Sequence, residues 1–210
     1  MNLFMEELRA AKLVAIIRGI AREDGEAATD AMIAGGFRFL EITMNTDGAA
    51  RLIHQIKTKH GDNVRVGAGT VLDQKMAKEA LEAGAEYLVS PHFDHFITDY
   101  ALSKGVEVWP GALTPSEIHN AYASGATAVK VFPAGFMGAG YIKNIRGPFH
   151  HIPMMVTGGI NERNLRDFLK AGAFSAGIGG DVCDVEQIRA GNFHLIQERA
   201  EMYTKLVLEG

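Results

Sequence analysis

Short runs of consecutive apolar, often β-branched residues recur along the chain, separated by amphipathic stretches. They are LVAII (13–17), FLEIT (39–43), VRVGA (64–68), EYLVS (86–90), VEVWP (106–110), AVKVF (128–132), IPMMV (152–156) and FSAGI (174–178). The starts of these eight runs lie about 20 to 26 residues apart, room for one strand, two loops and one helix per period. Hydrophobicity that is continuous rather than alternating predicts strands buried on both faces, hence parallel and covered by helices. The segments between them, such as DGEAATDAMIAGG, DQKMAKEALEAGAE and NERNLRDFLKAGA, show helical spacing with a polar start and a glycine finish. The stretch NFHLIQERAEMYTKLVLEG predicts a last helix. Eight β-α periods over residues 1–210 predict an α/β fold with a single domain, a closed (β/α)₈ TIM barrel at the compact end of that fold's size range. An open doubly wound sheet is the alternative, but RGIAREDGE follows the first strand where a dinucleotide-type glycine fingerprint belongs.

Composition narrows the function classes. Lys plus Arg is 21 against 25 Asp plus Glu, a formal charge of −4, so no basic excess exists to neutralise a phosphate polymer and nucleic acid is not an expected partner. The N-terminus is too short in apolar residues and too acidic for a secretory signal. No apolar run has the length of a membrane span, so a cytoplasmic protein is expected. The single cysteine, Cys183, fits a reducing compartment, and its acidic neighbours in Asp-Val-Cys-Asp should raise its pKa and make it a poor nucleophile. The eight histidines show no metal-ligand spacing, so no metal is expected. The methionines read as core filler and Trp109 as core or interface packing.

In a barrel of this kind the active site forms at the C-terminal strand ends. Lys130 in Ala-Val-Lys-Val-Phe-Pro and Glu41 in Leu-Glu-Ile-Thr place two charged side chains inside buried strands. Burial disfavours the charged form of an amine, and a neutral amine is the species that attacks a ketone to form an imine. A carboxylate converging on it can move protons on and off the adjacent carbon. The competing reading is a structural ion pair between the two. Thr157-Gly158-Gly159 and Gly177-Ile-Gly179-Gly180 follow the seventh and eighth runs, where backbone amides in such barrels face a phosphate or carboxylate; tight turns needing positive φ are the alternative. Arg18, after the first run, is either a carboxylate clamp or a surface ion pair.

Taken together, Val14-Ala-Ile-Ile-Arg18, Leu40-Glu-Ile-Thr43, Gly67-Ala-Gly-Thr70, Val89-Ser-Pro-His92, Pro110-Gly, Thr114-Pro, Val129-Lys-Val-Phe-Pro133, Gly147-Pro-Phe149, Thr157-Gly-Gly159 and Gly177-Ile-Gly-Gly180 share an order and spacing. That order resembles the 2-keto-3-deoxy-6-phosphogluconate / 4-hydroxy-2-oxoglutarate aldolases over roughly residues 10 to 182. The resemblance implies a class I aldolase without a metal or other cofactor. It would be a homotrimer, cleaving a 2-keto-3-deoxy-6-phospho sugar acid to pyruvate and glyceraldehyde 3-phosphate. It further implies Lys130 as the Schiff-base lysine, Glu41 as the general acid/base acting partly through a water, and Thr70, Pro91 and Phe132 as the wall around the pyruvyl group. Thr157 falls beside its carboxylate, and Gly158, Gly159, Gly179 and Gly180 near the distal phosphate.

Two positions depart from the gluconate-type pattern. Asn45 stands where an arginine is frequent, and a neutral amide cannot neutralise a carboxylate. Arg18 with Asn45 is instead similar to the 6-phosphogalactonate branch. Asp181 stands where a serine is usual, and a carboxylate facing a dianion is repelled by about 1–4 kcal/mol per close pair. The expectation is that Asp181 turns away to cap the following turn; the alternative is an unphosphorylated substrate such as 4-hydroxy-2-oxoglutarate. Two other functions remain open here: a phosphate-binding isomerase or synthase barrel, and a catalytically silent binding barrel. Phe93, Phe96, Trp109 and Phe136 are expected to provide exposed apolar surface for assembly.

Overall fold

The computed structural model describes residues 2–209. Its strands are β1 (Leu13–Ile17), β2 (Phe39–Thr43), β3 (Arg65–Gly69), β4 (Tyr87–Val89), β5 (Glu107–Trp109), β6 (Gly111–Ala112), β7 (Val129–Val131), β8 (Met154–Thr157) and β9 (Ser175–Ile178). All pair in parallel, in the spatial order β5-β4-β3-β2-β1-β9-β8-β7-β6. Only Pro110 separates β5 from β6, so these two are one stave. Proline lacks the N–H that would continue the ladder, but its carbonyl still accepts from the Lys130 amide at 2.9 Å. Nine short strands therefore make eight staves of a nearly closed barrel, with the chain itself bridging the seam at Pro110.

Helices α1 (Leu3–Ala11), α2 (Gly25–Ala34), α3 (Ala49–His60), α4 (Gln74–Glu82), α5 (His95–Ser103), α6 (Pro115–Ala123), α7 (Ala134–Met137), α8 (Ala139–Arg146), α9 (Leu165–Lys170), α10 (Val185–Arg189) and α11 (Phe193–Leu208) accompany the staves. The glycine finishes work as the sequence suggests. At the end of α2, Gly36 has φ +101° and the Phe37 amide donates back to Met32 O; Gly84 repeats this after α4 with φ +99° and Ala85 donating to Ala80 O. The left-handed residue reverses the chain into the next strand, a conformation a side chain resists. None of the described helices is long and apolar enough to cross a membrane.

The main apolar core lies between the outer faces of the staves and the helices. A second core fills the lower barrel: Val14, Phe39, Tyr87, Val89, Trp109, Ala128 and Met155 point inward, and Met5 and Leu8 of α1 plug the N-terminal opening. Phe4 makes an edge contact with Phe39, and Tyr87 stacks on Trp109 with ring centres 4.4 Å apart. Trp109 is fully buried here. Its expected contribution to an exposed apolar surface is thus corrected in favour of the packing reading, while Phe96 and Phe136 are exposed. Side chains alternate along a strand, so with Phe39 inward, Glu41 and Thr43 also face the interior, one layer and two layers above Phe39.

Candidate active site

Glu41 and Lys130 meet directly above the aromatic layer. Glu41 is fully buried and Lys130 is 4% exposed, with Nζ 3.6 Å from Glu41 Oε1. That separation is an ionic contact without a direct hydrogen bond. Among the described residues neither carboxylate oxygen of Glu41 has a hydrogen-bond partner. A buried ion pair selected for stability closes its geometry and satisfies its lone pairs, because each unsatisfied polar atom costs free energy. This pair does neither, which favours chemistry over a structural role.

The neighbouring stave is shaped around the carboxylate. Glu41 pairs in register with Gly67, and a Cβ placed on Gly69 would lie 2.0 Å from Glu41 Oε1 and 2.6 Å from its Cδ. A Cβ on Gly67 would enter the Tyr87 ring at 2.5 Å. Neither glycine has positive φ. Their lack of a side chain is therefore required by space, Gly67 for the aromatic layer and Gly69 for the glutamate above it.

Above Lys130 opens a cavity of about 450 Å³. Of the residues expected from sequence, Arg18, Lys130, Phe132, Thr157, Gly158, Gly159, Gly179 and Gly180 line it. Lys130 Nζ lies 5.7 Å from the Phe132 ring centre, and Thr157 Oγ, buried, has no hydrogen-bond partner among the described residues. Glu41 sits behind Lys130, below the cavity floor. Thr70 reaches the site indirectly: it accepts from Arg18 Nη2 at 3.0 Å and is held at φ +52°, a conformation disfavoured for a β-branched residue and most often found at functional sites. Pro91 packs across Gly111, whose Cβ would lie 2.2 Å from the Pro91 carbonyl carbon, and Gly111 is the register partner of Lys130. Asn45 is exposed on the loop after β2 and does not line the cavity.

The two glycine loops differ. Gly158 and Gly159 have φ +81° and +76°, so backbone geometry alone asks for glycine there. Gly179 and Gly180 have no positive φ, and a Cβ on either would meet nothing within 4 Å. Among the described residues no acceptor meets the amides of Gly180 and Asp181. The protein's own packing leaves these glycines unexplained, whereas close approach of an anion to the backbone accounts for them.

Asp181 lines the cavity and does not cap the following turn. Its carboxylate accepts a short hydrogen bond from Tyr203 of α11, and the cap of α10 is Asp184, which accepts from the amides of Glu186 and Gln187. Cys183 also lines the cavity wall. Its thiol is pushed up first by burial and only secondarily by Asp184, which keeps the sequence-based direction and changes its cause. Gly177 and Asp181 also line the cavity, and Ile16, Ile160, Asn161 and Val185 complete the wall without having been singled out in sequence. Ile16 alone carried a signal, as the inward residue two after Val14.

The family model described as "Aldolase: KDPG and KHG aldolase" matches residues 4–199. This chain belongs to that aldolase family. It is 33% identical to the 2-dehydro-3-deoxy-6-phosphogalactonate aldolase of Escherichia coli K12, over 81% of this chain and 83% of that protein. It is 30% identical to the 2-dehydro-3-deoxy-phosphogluconate aldolase of Treponema pallidum, over 96% of each. Among solved structures, the native KDPGal structure superposes with a TM-score of 0.87 at 31% identity, covering 94% of each chain. The KDPG aldolase of Legionella pneumophila, with pyruvate captured as a covalent carbinolamine, gives 0.86 at 28% identity, covering 94% of this chain and 96% of that one. An aldolase needs an electron sink beside a proton carrier, and in this barrel the cavity floor offers a lysine with a carboxylate behind it.

Proposed function

We propose that this aldolase is of class I and cleaves a 2-keto-3-deoxy-6-phospho sugar acid to pyruvate and glyceraldehyde 3-phosphate. The observation that carries the reading is the buried Lys130–Glu41 pair, incompletely hydrogen-bonded and adjoining the cavity. The free amine of Lys130 attacks the C2 ketone, and loss of water gives an iminium that accepts the electrons of the C3–C4 bond. Glu41, acting partly through a water, takes the C4 hydroxyl proton as that bond breaks. The aldehyde leaves, the enamine is protonated at C3, and hydrolysis of the imine frees pyruvate and restores Lys130.

Arg18 and Thr157 hold the carboxylate end in this reading, with Thr70 orienting Arg18 and with Phe132 and Pro91 bounding the pyruvyl group. The loops of Gly158–Gly159 and Gly179–Gly180 take the distal phosphate through backbone amides. Arg18 lining the cavity while Asn45 stays outside it favours the galactonate-type epimer over the gluconate type. Assembly as a homotrimer is part of the same reading and is supported by exposed apolar surface beside the mouth: Phe136 is 92% and Met137 40% accessible. A cytoplasmic location accords with the lone, unpaired Cys183.

The test is pyruvate release, coupled to lactate dehydrogenase, from the two phosphorylated epimers and from 4-hydroxy-2-oxoglutarate. The highest kcat/KM is expected for a phosphorylated substrate. Preference for the unphosphorylated acid would overturn the phosphate assignment, and no pyruvate from any of the three would overturn the aldol reading of the site.

A further inference from the structure

Asp181 is a carboxylate inside the loop that the proposed function gives to a phosphate, and what neutralises this conflict lies on the last helix. Tyr203 of α11 is fully buried in the main core, and its hydroxyl donates to Asp181 Oδ2 at 2.5 Å. Burial, then the bond to Asp181, push the Tyr203 phenol far up, so it stays a donor at any working pH. A second residue one turn earlier on α11 holds the same loop: Arg199 Nη1 donates to the Asp181 backbone carbonyl at 3.2 Å and to Asp184 Oδ2 at 2.7 Å. Loop and helix are thus tied by a bond that holds one carboxylate oxygen of Asp181 against α11 and by a side-chain-to-backbone bond that fixes the peptide following Asp181.

We infer that Tyr203 is a specificity-determining positioning residue, which admits phosphorylated substrates by holding the carboxylate of the cavity-lining Asp181 against α11 instead of leaving it free to face the phosphate. The inference rests on the phosphate reading above. Its physical content is a choice between two places for one negative charge: against a buried phenol, or facing the substrate dianion with a repulsion that lowers affinity. Arg199 fixes where the loop runs, and Tyr203 decides which way its carboxylate points.

The experiment compares KM for a phosphorylated substrate with KM for its unphosphorylated counterpart in the unaltered enzyme, Tyr203→Phe, Asp181→Asn and the double variant. Tyr203→Phe keeps the buried ring and removes only the donor. It is expected to raise KM for the phosphorylated substrate about tenfold or more, while KM for the unphosphorylated one stays within about twofold. Adding Asp181→Asn to that background should restore most of the loss, because the charge to be restrained is gone. A purely structural tyrosine would raise both KM values together and would not be rescued, and that result overturns the inference. So does a Tyr203→Phe enzyme that keeps its phosphate preference. If the unaltered enzyme shows no phosphate preference, the phosphate reading falls and takes the inference with it, which separates the two failures. Should Tyr203→Phe fold poorly, Tyr203→Trp, which restores a buried N–H donor in an aromatic frame, and Asp181→Asn alone supply the comparison: Asp181→Asn should not weaken the phosphorylated substrate, and weakening by Asn would overturn the inference.

Discussion

Substituting Gly69→Ala tests whether the position of Glu41 is set by the missing side chain next to it. The added Cβ lies 2.0 Å from Oε1, and ordinary van der Waals contact begins near 3.4 Å, so the carboxylate must retreat by 3.4 − 2.0 = 1.4 Å. The Lys130 contact is 3.6 Å long to begin with, so a shift of that size changes the geometry of the pair. Gly69 has no positive φ, so alanine fits the backbone and the effect is steric. Misplacing a catalytic group by about 1 Å costs on the order of 10²-fold in rate. Overpacking a buried site costs about 1–3 kcal/mol, which lowers Tm by several degrees in a chain of this size. Steady-state pyruvate release should therefore fall about 10²-fold. Borohydride reduction in the presence of pyruvate should still label Lys130, since the amine itself is untouched. A kcat within threefold of the unaltered enzyme would refute the claim that Gly69 positions Glu41, and loss of labelling together with activity would mean that the whole site had collapsed.

Acid sensitivity should depend in part on Asp184. Its carboxyl is held below the usual range, first by the Gln187 amide and then by Arg199, so it contributes stability that is present above its unfolded pKa and lost as pH falls through the folded value. Asp184→Ala should lower Tm near neutrality by the equivalent of about 1 kcal/mol and leave a smaller difference from the parent below pH 4, read by thermal melts across pH; an undiminished difference at low pH would count against it. Cys183, buried with a raised pKa, should react with iodoacetamide at pH 8 far more slowly in the folded protein than in urea, and equal rates would contradict its burial. Arg18→Gln should raise KM for every 2-keto acid substrate about tenfold or more, irrespective of phosphate; a rise confined to phosphorylated substrates would move Arg18 to the other end of the cavity.

The strands were the legible part, for a physical reason. Leu13–Ile17 and Phe39–Thr43 match their apolar runs residue for residue because both faces of those strands are buried, so the pattern has no polar positions to blur its ends. The fifth run stops at Pro110 in sequence, whereas the stave continues through Gly111–Ala112, because a proline interrupts the donors of a ladder without ending its direction. In the site, Lys130 and Glu41 were legible as charges where apolar residues belong. Their partnership with Gly69 was not, since it depends on register between β2 and β3, and a glycine in a strand reads equally as a bulge. The plug made by α1 was also hidden, because an amphipathic N-terminal helix carries no sign of which opening it covers. The Tyr203–Asp181 bond joins residues 22 apart across a helix and a loop, with nothing local in sequence to announce it.

The most direct measurement is intact-protein mass after borohydride treatment with pyruvate, followed by peptide mapping, for the unaltered chain and for Lys130→Ala. One reduced pyruvyl adduct is expected on the unaltered chain, carried by the peptide containing Lys130, with none on the variant and no pyruvate released by it. An adduct of equal yield on Lys130→Ala, or one mapped to a different lysine, would contradict the account.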